Sequence, residues 1–270
     1  MKYVARTPRD DVNVSQENPL IEAGTLIIGL GVICVLVVIS LVLLVDVVLY
    51  FVPAKKEVDL FNAWIPADLV TVAADDPRLE KLDALLQDLA SYWPDTDYQF
   101  RVEVNDSAEI NALAFPGGLI VVTSGLLDAL ESENELSLVL GHELGHFKNR
   151  DHIRALGRGA ALSILFAALG SSNTAASLSS SVASMTLNGF SRRQELAADA
   201  FGLSIVYARY GHVAAASGLF ERLGEEGGNY GGLSSYFRTH PAPADRVSIL
   251  KELASRNGWH ESGEITAIAW

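Results

Sequence analysis

Ser132-Glu-Asn-Glu-Leu-Ser-Leu-Val-Leu-Gly-His-Glu-Leu-Gly-His-Phe-Lys-Asn-Arg150 is the stretch on which the fold turns. Ser132 followed three residues later by Glu135 is a capping-box pattern, so a helix is expected from near Glu133 through Arg150. Leu136, Val139 and Leu140 give that helix an apolar face. Residues four apart on a helix differ by about 40° in direction, so His142 and His146 project together and can share a metal ion. Glu143 lies about 100° from His142, beside the metal rather than on it. There a carboxylate can take a proton from an activated water and deliver it to a leaving amine. A bare His-Glu-x-x-His also occurs on solvated helices. The independent cap, the apolar face and a further available ligand favour the metal.

Two histidines do not complete such a site, because catalytic zinc takes three protein ligands and a water. The third donor has to come from a separate element. Ser191-Arg-Arg-Gln-Glu-Leu-Ala-Ala-Asp199 offers two acids four apart on one helical face, among alanines small enough for close helix packing. In this reading Glu195 ligates one zinc ion per chain. Asp199, one turn on, accepts the N–H of a ligating histidine and fixes its tautomer. The other reading of this stretch is a surface helix whose acids pair with Arg192 and Arg193 at helical spacing. The upstream His-Glu-x-x-His favours the first.

The chain has 270 residues, enough for one catalytic-sized domain plus an appendage. A net charge of −13 and a pI near 4.8 disfavour a nucleic-acid partner, which needs a basic face. The one cysteine, Cys34, excludes a disulfide framework and a Cys-ligated zinc site. Hydrophobic residues make up 49%, and much of that excess lies between Ala23 and Val52. Ala23–Val45 is uncharged for 23 residues, long enough as a helix to cross a hydrocarbon core of about 30 Å. A bilayer is therefore an expected partner through residues 23–52. Asp46 is expected near the far interface, with Tyr50 and Phe51 among headgroups; an intramembrane functional acid is the alternative. A cleaved signal peptide is disfavoured by the run's length and by four acids in the first 22 residues. Lys2, Arg6 and Arg9 against Lys55 and Lys56 favour an internal N-terminus and an extracytoplasmic catalytic domain.

The expected organisation is a polar segment 1–22, an anchor 23–52, a linker 53–75, a catalytic domain 76–256 and a tail 257–270. Asp76-Pro77 opens an amphipathic helix carrying Leu79, Leu82, Leu85, Leu86 and Leu89, stopped by Pro94. Strands are expected over 98–104, 109–115 and 119–123, the last two joined by Pro116-Gly117-Gly118. A short helix is expected over 125–131. From Asp151 the pattern is mainly helical, interrupted by a Gly-rich loop over 224–232. Ala160–Gly170 is apolar but too short to span, so it reads as a buried or membrane-resting helix. The fold class is mainly α with a small β-sheet.

His142-Glu-Leu-Gly-His-Phe-Lys-Asn-Arg-Asp151, with Ser191–Asp199 downstream, closely resembles the HtpX-like and CAAX-prenyl-endopeptidase-like zinc metallopeptidases, family forty-eight of the metallopeptidases. Asn111–Leu127 resembles the family's segment before the active-site helix, and Thr239-His-Pro241 with Arg246 its C-terminal element. The resemblance covers about residues 75–255. It implies a gluzincin fold with His142, His146 and Glu195 as zinc ligands and Glu143 as general base. It also implies polypeptide substrates that pair, extended, with an edge strand at Asn111, Ala112, Leu113, Ala114 and Phe115. Family position places His240 near the cleft, either donating to a developing oxyanion or as a plain helix-entry residue. Tyr230 and Tyr236 are weaker candidates for that donor, and His152, His212 and His260 read as ordinary surface or packed residues. Several family members have multiple spans, whereas one is expected here. That favours a tethered protease acting on membrane-associated or misfolded proteins, in a bacterial inner membrane, over a prenyl-protein processing chamber. A catalytically silent chaperone or scaffold is the remaining alternative.

Overall fold

A computed structural model describes residues 18–57, 76–168, 190–225, 236, 239–240 and 245–270, with backbone only at 160–168 and 225. The chain divides into two compact units, residues 1–44 and 45–270. Tyr230, the linker residues 58–75 and most of the Gly-rich loop lie outside the described residues.

Helix α1, Pro19–Phe51, is 33 residues long, largely apolar with Glu22 and Asp46 as its two acids, and has no buried residue. By length and composition it can cross a membrane. The helix runs through Asp46 without a break. Asp46, already within the second unit, faces Arg154 at 3.4 Å and Arg158 at 3.3 Å.

In the second unit, α2 (Leu79–Ser91) buries Leu82, Leu85, Leu86 and Leu89, the face its leucine spacing predicts. The sheet comprises β1 (Arg101–Asn105), β2 (Ala112–Phe115) and β3 (Leu119–Thr123), in the order β1-β3-β2. β3 pairs parallel with β1 and antiparallel with β2, and all five of its residues are buried. The fold class is therefore mainly α with a small sheet, as the sequence implies.

Two strands are shorter than the alternation suggests. Tyr98 and Phe100 leave the ladder to pack in an aromatic cluster with Phe147. Before β2, Ser107 makes a turn, its hydroxyl accepting from Glu109 N–H and its carbonyl from Gly125 N–H. Pairing therefore begins only at Ala112. Pro116-Gly117-Gly118 does form the β2–β3 turn; Gly118 has φ +86°, and a Cβ there would meet the Gln99 carbonyl.

Helices α3 (Ser124–Ala129), α4 (Glu133–Asn149), α5 (Asp151–Ala168), α6 (Arg192–Tyr210), α7 (Gly218–Glu225) and α8 (Arg246–Asn257) complete the unit. The capping box of α4 is half-formed. Ser132 accepts from Glu135 N–H, but the Glu135 carboxylate turns to Glu131 N–H and Arg222 instead. The tail supplies a further bond, Glu133 N–H donating to the Thr266 carbonyl at 2.9 Å. α6 carries the complete box, from Ser191 and Gln194.

α4 is the central element, with every residue from Asn134 to Phe147 buried. Its closest neighbour is α6, and the two backbones touch. A Cβ on Gly141 would lie 2.9 Å from Gly202 Cα, and one on Gly145 would lie 2.6 Å from Ala198 Cα. No larger residue fits at those positions without pushing the helices apart.

Three consecutive residues, Arg150-Asp151-His152, join α4 to α5. Arg150 caps α4 in the left-handed region, φ 55°. Glu57, fully buried, accepts from Tyr98 Oη–H at 2.8 Å and Arg150 at 3.1 Å, and meets His152 Nε2 at 2.6 Å. Burial pushes the Glu57 carboxyl up, but His152, Tyr98 and Arg150 outweigh it and hold it below its ordinary value.

Two outcomes follow from this packing. Gly145→Ala is expected to destabilise by about 1–3 kcal/mol in denaturant titration, whereas Gly224→Ala, with open space at its Cβ, changes little. Because the Glu57 carboxyl is depressed when folded, its contribution is complete above pH about 4.5 and disappears as pH falls through the lower folded value. The thermal-midpoint gap between wild type and Glu57→Gln is therefore expected to be wide at neutral pH and to narrow below pH about 4.5.

Candidate metal centre

The backbone contact between α4 and α6 brings Glu195 over the two histidines of α4. His142 Nε2 and His146 Nε2 lie 3.0 Å apart. Glu195 places one oxygen 3.5 Å from each of these nitrogens. His240 adds a third imidazole, its Nδ1 3.2 Å from His142 Nε2 and 3.4 Å from Glu195 Oε1. All four residues are fully buried, and one ligand atom from each lies within 4.8 Å of the others. The group can bind a metal ion.

The far sides of the two rings explain their orientation. His142 Nδ1 lies 2.8 Å from Asp199 Oδ1, and His146 Nδ1 lies 3.0 Å from Asp151 Oδ2. A ring that donates its Nδ1–H to a carboxylate presents a bare lone pair at Nε2. Two such lone pairs 3.0 Å apart repel unless a proton or a metal cation lies between them. Tetrahedral zinc with nitrogen ligands at about 2.0–2.1 Å sets neighbouring donors roughly 3.3 Å apart, close to the spacings found here. Among the described residues, neither Glu195 oxygen has a hydrogen-bond donor, and the same holds for both oxygens of the buried Glu143. Donor type, spacing and buried acceptors all fit a zinc ion.

Glu143 stands beside the group, its Oε1 3.5 Å from His240 Nε2. The electrostatics favour positive charge. Burial disfavours a charged His146, but Asp151, Glu195 and Glu143 outweigh it and raise its pKa to about 9. His142 moves the other way, because for it burial is the stronger influence. Glu195 and Asp199 are held well below the usual carboxylate range despite burial, Glu195 mainly by His240 and His146, Asp199 mainly by Arg246.

The structure thus brings together His142, Glu143, His146, Glu195, Asp199 and His240. Asp199 sits behind His142, where it accepts from the ring. His240 is no helix-entry residue at the margin: it lies inside the donor group and its Nε2 is 3.2 Å from the Ala112 carbonyl of β2. Tyr236 stacks on it, ring centroids 4.8 Å apart. The strand of interest, Asn111–Phe115, lies at one edge of the sheet, with Asn111 Oδ1 accepting from Thr239 at 3.2 Å. His152 is buried against Glu57, while His212 and His260 are not buried.

Several contributors were given no role at the site from the sequence. Asp151 follows His146 by five residues, a spacing off the helical face; only the left-handed turn at Arg150 swings it back. Gln194 donates to Asp151 at 2.7 Å and so ties the α6 cap to the α4 histidine. Arg246 binds Asp199 and lies over the Phe220 ring, 3.8 Å from its centroid. Phe190 stacks on His146 at 3.9 Å. Asp151, Gln194 and Arg246 lie in the motifs quoted from the sequence, which give them no role there; Phe190 carries no local signal.

Comparison with known proteins agrees with this geometry. The family described as Peptidase family M48 matches residues 77–254. The chain is 31% identical over 143 residues to the mitochondrial metalloendopeptidase OMA1 of Arabidopsis thaliana, covering 53% of this chain and 29% of that protein. It is 34% identical over 162 residues to the metalloprotease LoiP of Escherichia coli, covering 56% and 61%. A putative beta-barrel assembly-enhancing protease of Vibrio cholerae is 29% identical over 194 residues, covering 67% and 40%. The chain therefore spans less than two thirds of the length of each of these relatives. With residues 77–254 matched and the histidine-glutamate centre assembled within them, the chain belongs to peptidase family M48 and carries its metallopeptidase domain.

Proposed function

We propose that this protein is a membrane-anchored zinc endopeptidase, with His142, His146 and Glu195 as the ligands and Glu143 as the general base. The observation that carries the reading is the pair of Nε2 atoms 3.0 Å apart, each backed by a carboxylate and both facing a buried glutamate. Zinc held there supplies Lewis-acid polarisation of a peptide carbonyl and lowers the pKa of a water. Glu143 accepts the proton of the attacking water on its carboxylate and passes it to the departing amine nitrogen. Asp199 and Asp151 keep the Nδ1 protons of His142 and His146 in place, so both rings stay oriented.

An extended substrate segment adds to β2 at Asn111–Phe115, main chain to main chain. His240 is the proposed donor to the developing oxyanion, a reading supported by its Nε2 lying toward β2, 3.2 Å from the Ala112 carbonyl. Its other nitrogen lies among the ligand atoms, so the same ring can also complete the donor set. Helix α1 is the anchor, and the charge distribution around it favours an extracytoplasmic domain on a bacterial inner membrane. Membrane-associated or misfolded polypeptides are the substrate class, a reading supported by the tether and by the assembly-enhancing protease among the relatives. The proposed catalytic domain is residues 76–256, behind the anchor 23–52 and the linker 53–75.

Casein degradation by detergent-purified full-length protein, with zinc per chain measured on the same sample, tests the mechanism. Wild type is expected to be active with near one zinc. Glu143→Gln is expected to keep zinc while losing activity by about 10²–10⁴-fold. Full zinc affinity in Glu195→Ala would assign the third ligand elsewhere. A well-folded wild type without zinc would sink the mechanism. Asp199→Asn is expected to weaken zinc about 10–100-fold in chelator competition. His240→Ala separates its two roles: zinc retained with slow turnover marks the oxyanion donor, weakened zinc the ligand.

A further inference from the structure

Arg150, Asp151 and His152 alternate in what they hold. Arg150 donates to the Leu49 and Val52 carbonyls and to Glu57. Leu49 lies in the last turn of α1 and Val52 just beyond it. Asp151 places one oxygen on His146 Nδ1 and the other on Gln194. His152 returns to Glu57, at 2.6 Å. The two residues flanking Asp151 are thus gripped by one carboxylate, which reaches them from a point five residues past Val52.

That grip acts where the backbone is least able to hold itself. Arg150 has φ 55°, a left-handed conformation that an L side chain adopts at a steric cost. The side-chain bonds from Arg150 to Glu57 and the two carbonyls offset this cost. The same turn redirects the chain so that Asp151 faces back toward His146. A shift in that turn moves the Asp151 oxygen relative to the ring. The orientation of a ligating histidine depends on its carboxylate partner.

We propose that Glu57 is a positioning residue for the metal centre: it clamps Arg150 and His152 so that Asp151 orients His146, making the geometry of the site depend on the segment that leaves the membrane helix. The proposal rests on His146 being a zinc ligand. Residues 53–57 then are no slack tether but part of the support of the site. Glu57 touches neither substrate nor metal, and acts only through the turn.

The test uses the full chain in detergent, with zinc affinity read by chelator competition and ligand geometry by the visible absorption of the cobalt-loaded protein. The variants are Glu57→Gln, Asp151→Asn, the double substitution, and His152→Leu. Glu57→Gln is expected to weaken zinc about 3–10-fold, less than loss of a direct partner of a ligand, and to alter the cobalt bands. Because both act along one path, the double variant is expected to bind within about twofold of Asp151→Asn alone. Losses that multiply would overturn the proposal, as would a Glu57→Gln protein with wild-type affinity and cobalt spectrum. If Glu57→Gln does not fold by circular dichroism, His152→Leu decides, since it cuts the clamp while leaving Glu57 with Tyr98 and Arg150. Weakened zinc there supports the clamp, and unchanged zinc rejects it. A folded wild type that takes up no zinc would reject both this inference and the ligand assignment. Zinc-loaded wild type with indifferent Glu57 and His152 variants would reject this inference alone.

Discussion

Donors from two helices reach a common point only if the helices approach closely, and here closeness is set by residues with almost no side chain. Gly141 and Gly145 of α4 meet Gly202 and Ala198 of α6, backbone against backbone. Ordinary helix pairs keep their axes about 8–10 Å apart because side chains interdigitate between them. Removing those side chains lets Glu195, one turn from Ala198, reach over His142 and His146. The acid proposed as ligand and the small residue that permits its approach are therefore part of one arrangement on α6. Asp199, beside Ala198, reaches His142 from behind for the same reason.

Such a group of buried charges has to be balanced internally. Asp199 is neutralised by Arg246, which is itself buried and lies over Phe220. The C-terminal helix α8 thereby contributes to a site whose donor group lies on other elements. Asp151 is shared between His146 and Gln194, the residue that completes the cap of α6. Helix termination and metal orientation thus use the same side chains. Glu143 and Glu195 keep oxygens without hydrogen-bond donors among the described residues, and chemistry is placed where that balance is left incomplete.

Local signals made much of this legible in the sequence. The start of α4, the leucine face of α2 and the Pro116-Gly117-Gly118 turn each follow from a few adjacent residues. So does the helical pairing of His142 with His146. Glu195 was reachable because zinc coordination demands a third donor and alanines beside it promised close packing. What stayed hidden depended on tertiary placement. Tyr98 and Phe100 alternate like strand residues, but the aromatic cluster around Phe147 takes them before the ladder begins. Glu135 has the spacing of a reciprocal cap, yet Arg222, from 87 residues further along, competes for its carboxylate. The role of Asp151 depends on a left-handed arginine, which no propensity argument anticipates. Burial of His240 among the donors requires knowing how the chain returns after α7.

Contact without intervening side chains also governs how the site can come apart. A helix pair separated by leucines can slide and re-pack in small steps, because rotamers absorb the displacement. Gly141 and Gly202 offer no rotamers, so α4 and α6 have few intermediate spacings available. Opening the pair would remove Glu195 and Asp199 together, taking a member of the donor group and a ring partner in one movement. Heat or denaturant should therefore dissolve the centre as a single cooperative event and not bleed ligands one at a time. A metal bound across the pair would act as a bolt between two surfaces otherwise joined by backbone contact and a few polar links such as Ser137 with Tyr210.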